Sequence, residues 1–284
     1  MHIATTDDAI AWGVPAELVV VRHGQSTGNA ALAAADAAGS QDAGITERNP
    51  DIPLSPLGRE QAGDLGRWFA SLPPERIPQI IKSSPYVRAR DTADIVRDEL
   101  ARAGRAVPPP VLDERLRDRE TGVLNGLPSA ARQARFPDEV RRRAHLGELY
   151  YRPPGGESLT DVALRLRSFL RDVCREQAGR RVLVAAHDAV VIMLRFVLEG
   201  LTETELVALS GSVANASVTR WVADAGRLRL AEYNRTGHLQ PGHLQPGHLQ
   251  PGHLQPGRLR SGQPLGGDLL GCHPASGHPG AGIG

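Results

Sequence analysis

Three short segments, the aliphatic run Leu18 to Val21 and the strand-like Ile80 to Ser83 and Arg181 to Ala186, each stop at polar residues and give way to a different pattern. Unbroken aliphatic runs of this length are the mark of buried parallel strands. After the first, Ser26, Thr27 and Asn29 favour a helix start. After the second, Tyr86 to Leu100 reads as a helix with Val87, Ala93, Ile95 and Val96 as its apolar positions, and after the third Ala189 to Leu198 reads as another. Two more helices stand between. Ser55 suits an N-cap with Pro56 at the first helical position, followed by the stripe Leu57, Ala62, Leu65, Trp68 and Phe69. Leu159, Val162, Ala163, Leu166, Phe169, Leu170 and Val173 recur at three- and four-residue spacing behind the turn Pro154-Gly155-Gly156. Ser212 to Val222 and Arg227 to Tyr233 read as closing strands. Strands alternating with helices predict an α/β fold.

What the strands end in matters most. The first ends in Arg22-His23-Gly24, the second in Ser83-Ser84-Pro85 with Arg88 close behind, and the third in His187-Asp188. In open α/β sheets the carboxyl ends of parallel strands border the ligand crevice, beside helix N-termini that favour anions. An arginine in the first turn of a helix opposes the usual charge preference, which an anionic ligand would explain for Arg88. Arg90 reads as a solvated side chain.

These segments resemble the histidine phosphatase superfamily, the phosphoglycerate-mutase-like enzymes. Val19 to Asn29 (VVVRHGQSTGN) is similar to its strand-end signature. Leu54, Ser55, Gly58, Gln61 and Ala62 match a structural turn, and Ser83, Ser84, Pro85, Arg88, Ala89, Thr92 and Ala93 match an eleven-residue pattern. The entry Gly155-Gly156-Glu157-Ser158 and the late Asn215-Ala216-Ser217 also resemble family motifs; Glu157 would either orient a neighbouring arginine or serve as an ordinary first-turn acid. The resemblance spans Leu18 to Ser217 and implies a three-layer sandwich with a mostly parallel central sheet. By it, His23 is the nucleophile, Arg22, Asn29, Arg88 and His187 bind phosphate, and no metal or cofactor takes part. His187 would add a donor when protonated. The proton donor falls on Asp118 when Leu116 to Gly122 is aligned on its glycine, with aspartate where glutamate is usual. Glu114 is the alternative in a looser alignment, and Asp188, which stands where the family usually has glycine, is the other candidate.

Composition narrows the setting. The chain of 284 residues has a formal net charge of +1, which gives no pull toward nucleic acid or a membrane surface. Lys82 is the only lysine, so phosphate binding falls to arginine, the better bidentate partner. Cys174 and Cys272 make no disulfide framework. Met1 to Gly13 contains Asp7 and Asp8 and no long apolar core, so a cytoplasmic protein is expected, without a signal peptide or membrane span. Cys174 and Arg180 have the spacing of a cysteine phosphatase loop, but a helix precedes them and a strand follows, which is the wrong order. Leu127 to Tyr151, with Arg132, Arg135, Arg141, Arg142 and Arg143, reads equally as a lid with substrate contacts or as a solvated helix.

From Gly237 the pentapeptide Gly-His-Leu-Gln-Pro occurs four times, and Gly/Pro-rich sequence runs on to Gly284. Proline every fifth residue forbids helix. A catalytic domain over 1–235 and a disordered tail over 236–284 are expected, with His238, His243, His248 and His253 as loose metal ligands at most. The substrate expected is a small phosphorylated metabolite or phosphoprotein. Hydrolysis is favoured over mutase transfer because Ala30 to Gly44 lacks the aromatic residues of the mutase subgroup. A non-catalytic phosphate-binding protein is the third reading.

Overall fold

The computed structural model describes residues 13–243, apart from 210 and 212. Strand β1 (Glu17–Arg22) leads into helix α1 (Thr27–Ala37), and α2 (Pro56–Ser71) precedes β2 (Ile80–Ser83). Helix α3 (Val87–Arg102) and the two-residue β3 (Val111–Leu112) come next. An excursion carries α4 (Ser129–Arg135) and α5 (Pro137–Leu146). Then follow α6 (Leu159–Glu176), β4 (Arg181–Ala186), α7 (Asp188–Glu199), α8 (Glu203–Leu209), β5 (Val218–Asp224) and β6 (Arg227–Arg235).

The six strands form one sheet in the order β3-β2-β4-β1-β5-β6. The first four run parallel, and β5 and β6 close the sheet antiparallel. Helices cover both faces, because alternate residues of a strand point to opposite sides. Leu18, Val20, Val182 and Val184 face one core with Leu166, Phe169 and Leu170 of α6 and Val191 and Leu194 of α7. Val19, Val21, Leu183 and Ala185 face the other with Leu65 and Phe69 of α2 and Val96 and Leu100 of α3. Each fully buried leucine or phenylalanine here stabilises the fold by roughly 1.5–3 kcal/mol. This is the expected α/β sandwich. β3, which the apolar pattern does not mark, is exposed along both residues.

Caps set where the helices begin. Ser26 closes a capping box with Asn29, Ser158 one with Asp161, and Ser55 caps α2 with Pro56 behind it. Helices α3 and α7 lack a side-chain cap. Ala89 N of α3 turns back to Tyr86 O at 3.0 Å, and Ala189 N of α7 is taken by Asp188 Oδ1 at 2.8 Å.

The expected boundary at 235 needs correction. Thr236 to His243 continues onto the domain surface, with Leu239 buried and His243 and Gln240 bonded to Asp64 of α2. His238 is half-buried, which pushes its pKa down to about 4, and the neutral ring donates through Nε2 to the Ala216 carbonyl at 3.0 Å. The first copy of the pentapeptide and the first two residues of the second are thus part of the fold, with His238 and His243 engaged by the domain. The expected disorder of the remaining copies, His248, His253 and Cys272 lie outside the described residues.

Candidate active site

Strands β2, β4 and β1 are neighbours in the sheet, so their three polar ends converge. The His23 amide extends the β1–β4 ladder to Ala186 O at 2.9 Å, and the Ser84 amide reaches Ala185 O at 2.9 Å. His187, at the end of the central strand, lies between them, its ring centroid 5.1 Å from that of His23.

The loop after β1 is held from several sides without use of the His23 ring. Gly24 N donates to Thr92 Oγ1 at 3.1 Å, Gln25 N to Gln61 Oε1 at 2.8 Å, and Ser55 N to Gln25 O at 2.9 Å. His23 O accepts from Asn215 Nδ2 at 3.0 Å and from Ala216 N at 3.1 Å. The loop presses on the start of α2 so closely that a Cβ at Gly58 would lie 1.9 Å from Gln25 O, and one at Gly24 2.2 Å from Gly58 O. The matched turn residues of α2 are structural, as expected.

His23 Nδ1 lies 2.6 Å from Gly24 O, a carbonyl that can only accept, so Nδ1 carries the proton. Nε2 then has a lone pair, which accepts from Arg88 Nε at 3.1 Å. Burial, followed by the charges of Arg88 and Arg22, holds the ring neutral, well below the ordinary imidazole pKa. A neutral imidazole whose Nε2 lone pair faces a guanidinium is a nucleophile aimed at an anion-binding position.

Arg88 is almost fully buried. Its fork spans His23, both Asn49 acceptors (Nη1 to the carbonyl at 2.6 Å, Nη2 to Oδ1 at 3.1 Å) and Asp118 Oδ2 at 3.0 Å. Arg22 donates Nη1 to Val213 O at 2.5 Å and approaches Asp188 Oδ2 at 3.8 Å, while its Nε has no hydrogen-bond partner among the described residues. His187 differs from the expectation of a protonated donor. Burial first, then Arg88, Arg22 and Arg165, keep it neutral. Ser84 Oγ accepts from Tyr86 N at 3.2 Å and lies 2.9 Å from His187 Nε2; when that hydroxyl donates to Nε2, the ring proton sits on Nδ1. That Nδ1 stands 3.5 Å from Asp118 Oδ2 and makes no hydrogen bond among the described residues. It can donate to an anion without a positive charge. Asn29 lines the cavity with Oδ1 engaged in the α1 cap, leaving its NH2 group as the donating end.

Among the acid candidates, Asp118 and Asp188 border the cavity and Glu114 does not; it is exposed on the short turn before Leu116. Asp118 shares both Arg88 and the His187 neighbourhood. Its loop is held by Arg165, which donates to the carbonyls of Arg115 (2.5 Å) and Asp118 (3.2 Å). Glu157 orients that arginine through bonds of 3.0 and 3.2 Å, one of the two roles open to it from the sequence. Tyr86 packs against His187, and its hydroxyl donates to Glu120. Burial and that carboxylate push the phenol pKa up.

The cavity, of about 330 Å³, is lined on its chemical side by Arg22, His23, Asn29, Arg88, Asp118 and Asp188. Leu32, Ile45, Ile52 and Ile192 form an apolar wall, and Arg119, Thr121, Asn125 and Arg132 a polar one. The arginines of the excursion divide between the two readings open to them. Arg141, Arg142 and Arg143 pair with Asp138, Glu139 and Glu148, and Arg135 is exposed. Arg132 borders the cavity, donates Nε to Leu127 O at 2.8 Å and makes no ion pair among the described residues. Arg90 is exposed, and Cys174 sits within α6, where no phosphate loop can form.

Neutral buried histidines make the fold acid-sensitive. The folded pKa of His23 and of His187 lies below the unfolded value near 6.5, so the stabilisation is complete above that pH and is lost as pH falls through it toward the folded values. Each ring contributes a slope of up to about 1.4 kcal/mol per pH unit in that window. Lowering pH from 7 to 5 is expected to lower the melting temperature, with uptake of more than one proton on unfolding at pH 5, measurable by calorimetry in two buffers. A melting temperature flat over this range would contradict the assignment of neutral rings.

A mostly parallel sheet with two imidazoles and two guanidinium groups gathered at three adjacent strand ends defines a class of anion-handling α/β protein. Residues 18–236 match the family model of the histidine phosphatase superfamily (branch 1), and the chain belongs to that superfamily. It is 34% identical over 191 residues to 2,3-bisphosphoglycerate-dependent phosphoglycerate mutase 2 of Gloeobacter violaceus, covering 66% of this chain and 78% of the relative. It is 32% identical over 212 residues to the 2,3-bisphosphoglycerate-dependent phosphoglycerate mutase of Rhizobium rhizogenes, covering 73% and 91%. In structure it is similar to a mycobacterial glucosyl-3-phosphoglycerate phosphatase, with a TM-score of 0.60 at 29% identity over 78% of this chain and 99% of that one. Members of the superfamily are thus phosphatases or mutases. No helix among the described residues is long and apolar enough to cross a membrane.

Proposed function

We propose that this protein is a metal-independent phosphatase that hydrolyses phosphomonoesters through a phosphohistidine on His23. The observation that carries the reading is the tautomer of His23: Nδ1–H tied to Gly24 O and the Nε2 lone pair facing Arg88. Nε2 attacks phosphorus in line and the bond to the ester oxygen breaks. Arg22, Arg88, the Asn29 amide and His187 Nδ1–H stabilise the charge on the transferring group. Protonated Asp118 gives its proton to the leaving oxygen. As a carboxylate it then takes a proton from water, whose oxygen attacks phosphorus and breaks the P–N bond. Inorganic phosphate leaves and His23 is restored. Arg132, without a carboxylate partner among the described residues, suits a second anionic group on the substrate.

The mutase reading rests on the sequence relatives, which carry that name at 32–34% identity. Against it stands the segment after α1, whose contributions to the cavity wall, Ile45, Asn49 and Ile52, include no aromatic ring.

The test is rapid quenching of the wild-type protein with a phosphomonoester in EDTA. A base-stable, acid-labile phosphoryl group on His23, released to water at the rate of turnover, is the expected result. Turnover that disappears with EDTA, or turnover without a labelled His23, would overturn the reading. Return of the label to a phosphoglycerate instead of water would favour the mutase.

The acid has its own signature. Asp118→Asn is expected to slow hydrolysis of an alkyl phosphate by about 100-fold, as loss of a general acid does. p-Nitrophenyl phosphate, whose leaving group needs little protonation, should lose less than about tenfold in its phosphorylation step. Equal losses on both esters would move the role away from Asp118, and Asp188→Asn would be the next variant.

A further inference from the structure

The pentapeptide tail meets the domain on one face of α2, and the contacts read like those of a ligand. Asp64, a buried carboxylate on a helix, accepts from Gln240 N at 3.1 Å, from Gln240 Nε2 at 3.3 Å and from His243 Nδ1 at 2.5 Å. Burial alone would raise the Asp64 carboxyl, but the His243 and Gln240 bonds, with Arg67, hold it below its ordinary range. Gln61 Nε2 donates to His243 O at 2.8 Å, and Glu60 Oε2 lies 3.1 Å from His243 Nε2. The His238 ring packs 5.4 Å from the Trp68 ring, centre to centre. Besides its own turn bonds, Leu239 N to Thr236 O and His243 N to Gln240 O, the segment's polar contacts fall on side chains and a carbonyl placed by the domain, and the residues that make them are His238, Gln240 and His243 of the hexapeptide His-Leu-Gln-Pro-Gly-His.

That hexapeptide is not unique in the chain. It occurs at 238–243, again at 243–248 and again at 248–253, and a fourth version ends in Arg258. We propose that the Gln61–Asp64 face of α2 is a binding site for the His-Leu-Gln-Pro-Gly-His unit as such, and that the later units of the same chain are interchangeable ligands for it. Replacing the first unit by the second adds five residues between β6 and the site. The entropic cost of a longer tether grows only logarithmically, so units in succession compete on nearly equal terms. The occupied site reaches the loop that carries His23, since the Gln61 side chain that donates to His243 O also accepts the Gln25 amide. A tail with several identical units keeps that clamp in place when any one is displaced or cut away.

The test uses full-length protein. One variant replaces His238, Leu239 and Gln240 by serine, which removes only the first unit; a second carries the same replacements in all four copies. Amide exchange over residues 62–70 and the fluorescence of Trp68 report occupancy, and amides of β1 and β4 report that the fold is intact. The one-copy variant is expected to exchange within about twofold of wild type, independent of protein concentration, and the four-copy variant at least tenfold faster. Free His-Leu-Gln-Pro-Gly-His peptide should restore protection to the four-copy variant, and fluorescently labelled peptide should bind it directly. Asp64→Asn should abolish that binding in the four-copy background. A one-copy variant as unprotected as the four-copy variant would overturn interchangeability, and so would protection of the one-copy variant that rises with protein concentration, since it would come from another chain. Failure of the labelled peptide to bind the four-copy variant would overturn the site itself.

Discussion

His23→Ala is expected to lower the rate of phosphate release from p-nitrophenyl phosphate by at least about 10⁴-fold, the scale of losing a covalent nucleophile. The fold should survive. The loop is held through main-chain groups of His23, Gly24 and Gln25, to Asn215, Ala216, Thr92 and Gln61, and none of these bonds uses the imidazole. Removal of a buried ring that resists protonation should also make the variant less sensitive to acid unfolding than the wild type. Single-turnover kinetics at saturating enzyme, with melting curves at pH 7 and 5, measure both. Activity within tenfold of wild type would sink the phosphohistidine mechanism, because His23 is the one histidine among the described residues lining the cavity.

Arg88→Ala should cost about 10²–10³-fold in kcat/KM, the loss typical when a fixed donor to transition-state charge is removed. Here the loss has a second component. The same guanidinium orders Asp118 and Asn49, so the alanine variant leaves a carboxylate and an amide without their shared donor. A destabilisation of roughly 1–3 kcal/mol follows, readable by urea unfolding. Arg88→Lys separates charge from shape. Lysine keeps the positive charge but cannot span His23, Asn49 and Asp118 with one planar fork, so it should recover less than a tenth of the activity. Full recovery by lysine would show that charge alone suffices.

The strand-end residues were legible because each motif is local. A run of aliphatic residues, a polar triplet and a helix start lie within a dozen positions, and the alternation of strands and helices then brings His23, Arg88 and His187 to one edge. Asn49 was not legible. It lies in a stretch without periodicity, and half its contribution is a main-chain carbonyl whose importance arises only because Arg88 reaches it. Ser84 stood within a quoted motif, yet its part in setting the His187 tautomer depends on a contact across 103 residues. The docked tail was misread for a different reason. Proline spacing correctly argues against helix, but it says nothing about a partner surface. A signal was present in α2, where Gln61 and Asp64 share the buried side with Leu65 and Phe69. Polar residues on an apolar face call for partners, and the tail supplies them.

The contact between Gly24 and Gly58 sets a limit on how this scaffold can be altered. Two main chains touch there with no room for even one methyl group, so neither segment can drift unless the other moves in step. Mutational change is therefore channelled away from the β1–α2 junction and toward the wall built by Leu32, Ile45, Ile52 and Arg132, whose side chains are free of that constraint. For protein engineering the cavity is divided accordingly: libraries that randomise the wall can retarget the substrate, while the junction acts as a fixed anvil on which the reacting imidazole is set.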